Sequence, residues 1–153
     1  MIRRGGLPDV PFLKAMLRHA YHWRVNAWEA EIPASRYVDR WGRHGDTAVI
    51  ALDDEGRPVG AAWFRLYPEG APGYGFVDAQ TPELTIAVVP SMRGKGIGGE
   101  LLEGLLDRAR AGGYAQISLS VQRDSDQEAF YARHGFERVR EDGGGAATMV
   151  KPL

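Results

Sequence analysis

Residues 83–112 constrain this chain more than any other stretch. A run of apolar and β-branched residues, Glu83-Leu84-Thr85-Ile86-Ala87-Val88-Val89, stops at Pro90. It passes through Arg93-Gly94-Lys95-Gly96-Ile97-Gly98-Gly99 and opens directly into a helix expected over Gly98–Gly112, with Leu101, Leu102, Leu105, Leu106 and Ala109 on one face. Glu100 and Glu103 sit near the positive end of that helix and Arg108 and Arg110 near its negative end, as the macrodipole favours. A strand feeding a glycine loop feeding a helix start is an anion-binding arrangement. Glycines reach positive φ and let the backbone approach a ligand closely. The unpaired N–H groups of the first helical turn then point at the anion, and Arg93 and Lys95 add charge. The ligand this predicts is a phosphate or pyrophosphate.

Around this segment the pattern reads as a single mixed α/β domain over residues 1–153, a mostly antiparallel sheet flanked by helices. Met1–Arg4 is a short strand. Val10, Phe12, Leu13, Met16, Leu17 and Ala20 form one helical face behind Pro8-Asp9, and Ser35 is placed to cap a second helix through Tyr37, Val38 and Trp41. Thr47–Leu52 and Pro58–Leu66 form an antiparallel hairpin around Asp53-Asp54-Glu55-Gly56, with Arg65 on its solvent face. Tyr67–Pro82, dotted with Pro and Gly, is a long loop. After the central helix come a strand at Ala115–Val121, a short helix at Asp126–His134, and a closing hairpin, Phe136–Arg140 and Ala146–Lys151, around the flexible turn Gly143–Gly145.

Composition narrows the function classes. Glycine is the outlier, 20 of 153 residues, where roughly 7% is usual. Nineteen Lys+Arg against twenty Asp+Glu give a net charge of −1. That removes the basic excess expected of a protein that coats nucleic acid or anionic lipid. There is no Cys, hence no disulfide, thiolate metal site or cysteine nucleophile. Met1–Gly6 is not followed by the apolar core of a signal peptide, and no apolar run is long enough to span a bilayer, so a cytoplasmic protein is expected.

Two phosphate-binding motifs can be tested against the loop. A Walker loop needs Ser or Thr after Gly-Lys, but Gly96 follows Gly94-Lys95, and Val89 stands where its upstream glycine belongs. Gly94, Gly96 and Gly99 match the Rossmann spacing, but they follow a late strand in an antiparallel context rather than an early parallel one. A third pattern fits the context. Arg93-x-x-Gly96-x-Gly98, after a strand ending Val-x-Pro and opening a helix, resembles the acetyl-CoA pyrophosphate loop of the GNAT superfamily of N-acetyltransferases. Phe130-Tyr131-Ala132-Arg133-His134-Gly135-Phe136 resembles that family's Tyr-x-x-x-Gly-Phe segment, and the resemblance runs over nearly the whole chain.

The resemblance implies transfer of an acetyl group from acetyl-CoA to a primary amine, on a small molecule or a peptide, with no metal. Ile86, Ala87 and Val88 would lend backbone groups to the pantetheine arm, and the Val88 N–H would polarise the thioester carbonyl. Residues Arg93, Gly94, Lys95, Gly96, Ile97, Gly98 and Gly99 would hold the pyrophosphate. Asp124 stands where many members carry Asn, and Gln127 where they carry Ala. Asp accepts a hydrogen bond but donates no amide one. Tyr131 occupies the general-acid position; read from its own segment alone it is a core aromatic of a short helix. Two carboxylates are available as base: Glu83, on the face shared with Thr85 and Ala87, and Asp78 acting through water. Homodimers occur in the family. A silent acyl-CoA-binding module is the alternative function.

Tyr21, Trp23, Trp28, Tyr37 and Trp41 crowd one stretch beside Glu29 and Glu31. They are either a wall for an organic cation or packing between helices and sheet. His19 and His22 lie one turn apart without a third metal ligand in the sequence nearby.

Overall fold

A computed structural model describes residues 1–24 and 32–153. Trp28, Glu29 and Glu31 lie outside the described residues. The elements run β1 (Ile2–Arg4), α1 (Val10–Ala20), β2 (Thr47–Leu52), β3 (Pro58–Arg65), β4 (Glu83–Val88), α2 (Ile97–Ala111), β5 (Gln116–Gln122), α3 (Asp126–Arg133), β6 (Glu137–Asp142) and β7 (Ala146–Pro152). They form one seven-stranded sheet of order β1-β2-β3-β4-β5-β7-β6. Every neighbouring pair is antiparallel except β4 and β5. No helix of the described residues is long and apolar enough to cross a membrane.

Alternation along the strands divides the core in two. Leu84 joins the cluster under α2 and α3, with Leu101, Leu102, Leu105, Leu106 and Ala109 of α2 fully buried there. Ala87 joins the cluster under α1, with Leu13, Met16, Leu17, Tyr37 and Trp63. Burying each leucine contributes about 2 kcal/mol, so α2 is held chiefly by this stripe.

The structure corrects two expectations, and one cause underlies both. Arg65 is not on a solvent face: it is fully buried. Its Nε and Nη2 donate to Asp46 Oδ1 and Oδ2 at 3.0 and 2.7 Å, and Nη1 donates to the carbonyls of Arg36 and Asp39 at 2.9 and 2.8 Å. From Val59 to Arg65 β3 is buried on both faces, so a period-two reading cannot give Arg65 to water. The helix expected from Ser35 through Trp41 is only a single 3-10 turn, Ala34–Tyr37, with no side-chain cap. The carbonyls that would continue it face the Arg65 guanidinium instead, and Arg40 (φ +56°) and Gly42 (φ +114°) turn the chain away. Trp41 packs over the same guanidinium, 5.4 Å from ring centroid to Cζ.

Candidate active site

Strand register decides which backbone groups reach the site. In an antiparallel pair, hydrogen-bonded and non-hydrogen-bonded positions alternate. Val89 N–H donates to Val59 O at 2.9 Å. Counting back by twos, Ala87, Thr85 and Glu83 bond β3, while Val88, Ile86 and Leu84 turn their N–H and C=O toward β5. β5 meets β4 only where Glu83 stands opposite Ser118 and diverges beyond it. Ile86 and Val88 therefore present backbone groups to a gap rather than to a strand. The Val88 carbonyl accepts from Arg93 Nε at 3.1 Å. Ala87 differs: its backbone groups belong to the β3 ladder, and only its flank reaches the gap.

A cleft of about 670 Å³ fills the fork. Its walls come from β4 between Leu84 and Val88, β5 between Ser120 and Gln122, the glycine loop, α3, and His19–Trp23 at the end of α1. At the open end, Gly94 and Gly96 adopt φ +78° and +82°, the left-handed region that glycine alone enters freely. A Cβ at Gly94, Gly96 or Gly99 would meet nothing within 4 Å, so the loop presents bare backbone. Gly96 is the N-cap of α2, and its carbonyl accepts from Glu100 N–H at 3.2 Å. The amides of Ile97, Gly98 and Gly99 have no acceptor inside the helix. Bare loop backbone and unpaired helix amides of this kind can receive an anionic group such as a diphosphate at the mouth of the groove.

Arg93, Gly94, Gly96, Ile97, Gly98 and Gly99 all line the cleft, as do Ile86, Ala87 and Val88. Two expected contacts are not brought there. Lys95 lies outside the wall, its Nζ 3.8 Å from Met92 Sδ. Asp124 is exposed and faces Arg138 Nη2 at 3.3 Å, while Asp126 and Gln127 take the wall.

Tyr131 forms part of the wall from α3, its ring edge-on to Phe130 and Phe136 at 5.2 and 5.5 Å. Burial pushes its phenol well above the ordinary tyrosine range.

Glu83 sits at the closed end of the fork and is almost fully buried. The Tyr37 hydroxyl donates to its Oε2, and Tyr74 N–H donates to the Tyr37 oxygen at 2.7 Å. Its Oε1 has no partner among the described residues. Burial pushes the carboxyl up to about 7, against the opposing pull of the Tyr37 hydroxyl, the Gly75 N–H and the Arg24 and Arg140 charges. Gly73 lies against the carboxyl so closely that a Cβ there would collide with Oε1. A Cβ at Gly75 would fall 2.6 Å from the Leu119 carbonyl carbon. The two glycines let the β3–β4 loop seal the fork. Glu83 thus reaches the cleft through hydroxyls: Thr85 and Tyr21 line it, their oxygens 3.3 Å apart, and the Tyr21 and Tyr37 rings stand 5.0 Å apart. Asp78, the other candidate, lies outside the cleft wall and accepts from Gln80 N–H and the Thr81 hydroxyl at 3.0 and 2.8 Å.

The aromatic stretch divides. Tyr21 and Trp23 face the cleft, whereas Tyr37 is core. His22 Nδ1 lies 3.0 Å from the His19 carbonyl. No group of three or more His, Cys, Asp or Glu among the described residues is placed to hold a metal. What the sequence reading missed is Arg24, beside Trp23: its Nη2 donates to Ser120 Oγ at 3.1 Å. A cation beside an aromatic cluster was the available signal.

The acetyltransferase (GNAT) family pattern matches residues 14–136, from within α1 to the residue before β6. The chain belongs to the GNAT family of acetyltransferases. Among GNAT relatives it is 31% identical over 142 residues to an L-methionine sulfoximine/L-methionine sulfone acetyltransferase of Pseudomonas paraeruginosa, covering 89% of this chain and 79% of that one. Its fold superposes on a ribosomal-protein-alanine N-acetyltransferase of Brucella melitensis with a TM-score of 0.72 and 25% identity, over 100% of this chain and 99% of that chain. A GNAT phosphinothricin acetyltransferase from Sinorhizobium meliloti, solved in complex with acetyl-CoA, superposes at 0.70 with 22% identity, over 100% and 88%.

Proposed function

We propose that this GNAT acetyltransferase moves an acetyl group from acetyl-CoA to a primary amine by direct attack on the thioester. The observation that carries this reading is the fork: β4 and β5 part above Glu83 and Ser118, and the groove between them ends on free helix amides. The pyrophosphate rests on the amides of the glycine loop, and the pantetheine arm follows Ile86 and Val88. The amine, protonated in water at a pKa near ~10.4, loses a proton toward Glu83 through Thr85, Tyr21 and Tyr37. Its nitrogen then bonds the carbonyl carbon, and the Val88 N–H holds the oxyanion. The carbon–sulfur bond breaks, Tyr131 gives its proton to the thiolate, and the second nitrogen proton, released as the amide forms, restores the phenol by way of solvent. Burial raises the phenol, but it raises a thiolate in the same cleft too, so donor and acceptor stay close enough for transfer.

The decisive experiment is thiol release from acetyl-CoA in the presence of a primary-amine panel that includes L-methionine sulfone and a peptide N-terminus. Release with at least one amine is expected. Acetyl-CoA binding without release for any amine would reduce the chain to a silent acyl-CoA-binding module. Tyr131→Phe is expected to lower kcat about 10- to 100-fold while leaving acetyl-CoA affinity within a factor of two or so; unchanged kcat removes it as the acid. Gly96→Val forces a branched side chain to φ +82°, a strain of about 1–3 kcal/mol. It is expected to weaken acetyl-CoA binding at least roughly 10-fold by calorimetry, and wild-type affinity would show that the loop does not hold the diphosphate.

A further inference from the structure

Tyr21, His22 and Trp23 follow one another at the end of α1, and all three line the cleft. The last carbonyls of a helix lack partners within it, and two of these side chains fold back onto them. Trp23 Nε1 donates to the Ala20 carbonyl at 3.1 Å, and His22 Nδ1 stands 3.0 Å from the His19 carbonyl. A carbonyl oxygen has no hydrogen to give, so this second contact requires one on Nδ1. In a neutral imidazole one nitrogen donates and the other accepts. A donor at Nδ1 therefore makes Nε2 the acceptor, and the helix end holds the ring in one orientation and one tautomer. Nε2 itself has no partner among the described residues. His22 is exposed as well as part of the wall, so its ring joins the cleft to bulk water.

The chemistry leaves one proton without a receiver inside the protein. A primary amine enters as the ammonium, and its nitrogen sheds two protons on the way to the amide. Glu83 is a single carboxylate and takes the first, through Thr85, Tyr21 and Tyr37. The second leaves only after the nitrogen has bonded the carbonyl carbon. Tyr131 still carries its own proton then, and gives it to the departing sulfur. A neutral imidazole nitrogen is a base suited to the remaining step.

We propose that His22 Nε2 accepts the second nitrogen proton. The N–H bond breaks, an Nε2–H bond forms, and the imidazolium hands the same proton to water, from which the Tyr131 phenol is restored. Adjacent residues then divide the two protons. The Tyr21 hydroxyl, buried and 3.3 Å from that of Thr85, carries the first inward, and the exposed His22 ring carries the second outward. The inference rests on the acetyltransferase reading above. A role confined to closing the end of α1 would need only the Nδ1 donor.

Substitutions separate the two roles. His22→Ala removes both the donor and the base, whereas His22→Asn keeps an N–H donor near the place of Nδ1 and has no base. Each is expected to lower kcat about 10- to 100-fold, below the full range of a general base because water reaches the site, with the KM for acetyl-CoA within about twofold. Free imidazole is expected to raise the rate of amide formation by His22→Ala at least about fivefold and to leave the wild type unchanged. Wild-type kcat in His22→Asn would reduce His22 to a helix cap, and no response of His22→Ala to imidazole overturns the proton transfer. Independently of turnover, nitrogen-15 NMR of the His22 ring, recorded above the titration range of imidazole, should place the hydrogen on Nδ1. Finding it on Nε2 overturns the proposal too. A wild type that acetylates amines while these tests fail leaves the acetyltransferase reading intact. A wild type that acetylates none sinks that reading and this proposal together.

Discussion

Glu83→Gln is expected to lower kcat by about two to three orders of magnitude, the range of a positioned general base, and to abolish a rise in kcat centred near pH 7. Glu83 must be ionised to accept a proton, and burial holds its carboxyl up to about 7. The wild-type rate should therefore climb as pH rises through that value, well below the ~10.4 of a free amine. A flat wild-type profile, or a Gln variant with wild-type kcat, would remove Glu83 from the mechanism.

The same carboxyl should leave a mark on stability, with a definite sign. In the unfolded chain it ionises near 4.3; in the folded protein it keeps its proton until about 7. Between those values the folded state binds the extra proton, so stability falls as pH rises through the window and stays lower above it. A difference of that size is worth about 4 kcal/mol, at about 1.4 kcal/mol per pH unit. Glu83→Gln has no charge to bury, so its melting temperature should gain on the wild type by several degrees between pH 5 and pH 8. A variant that loses activity while gaining alkaline stability separates a strained catalytic group from a merely structural one.

The elements that sequence made legible are those whose signal is local. The glycine loop declares itself because positive φ at Gly94 and Gly96 and a bare helix start require those residues in that order. The role of β4 was readable because Glu83, Thr85 and Ala87 alternate with residues of the opposite core. What stayed hidden depends on contacts far apart in the chain. Arg65 reads as a surface residue until Asp46, from the preceding loop, is beside it. Gly73 and Gly75 read as loop punctuation, whereas their function is to let one backbone touch Glu83 and another touch β5. Arg24 gains a partner only when folding sets β5 beside it, where its Nη2 donates to Ser120 Oγ. Lys95 and Asp124 show the converse: a motif gives the position in the chain, but the turn of the loop decides which way the side chain faces.

Asp46→Ala is expected to be the most destabilising single change away from the cleft, lowering stability by about 3–5 kcal/mol because it strands a buried guanidinium. Arg65 and Asp46 side chains are 0% and 2% exposed and joined by two hydrogen bonds, so water cannot replace the lost partner. For a chain of this length that corresponds to a fall of roughly 10 °C in melting temperature. Replacing both partners, as in Asp46→Ala with Arg65→Met, should recover part of the loss, since no unpaired charge is then buried. The consequence reaches the chemistry as well. Arg65 holds the Arg36 and Asp39 carbonyls on either side of Tyr37, and Tyr37 donates to Glu83. Releasing the guanidinium frees the segment that aims the Tyr37 hydroxyl. The stability loss should therefore come with a shift of the kcat profile above pH 7 at temperatures where Asp46→Ala is still folded, because a carboxylate deprived of its donor holds its proton more tightly. An unmoved profile would show that the Arg65–Asp46 pair supports the fold without positioning the base.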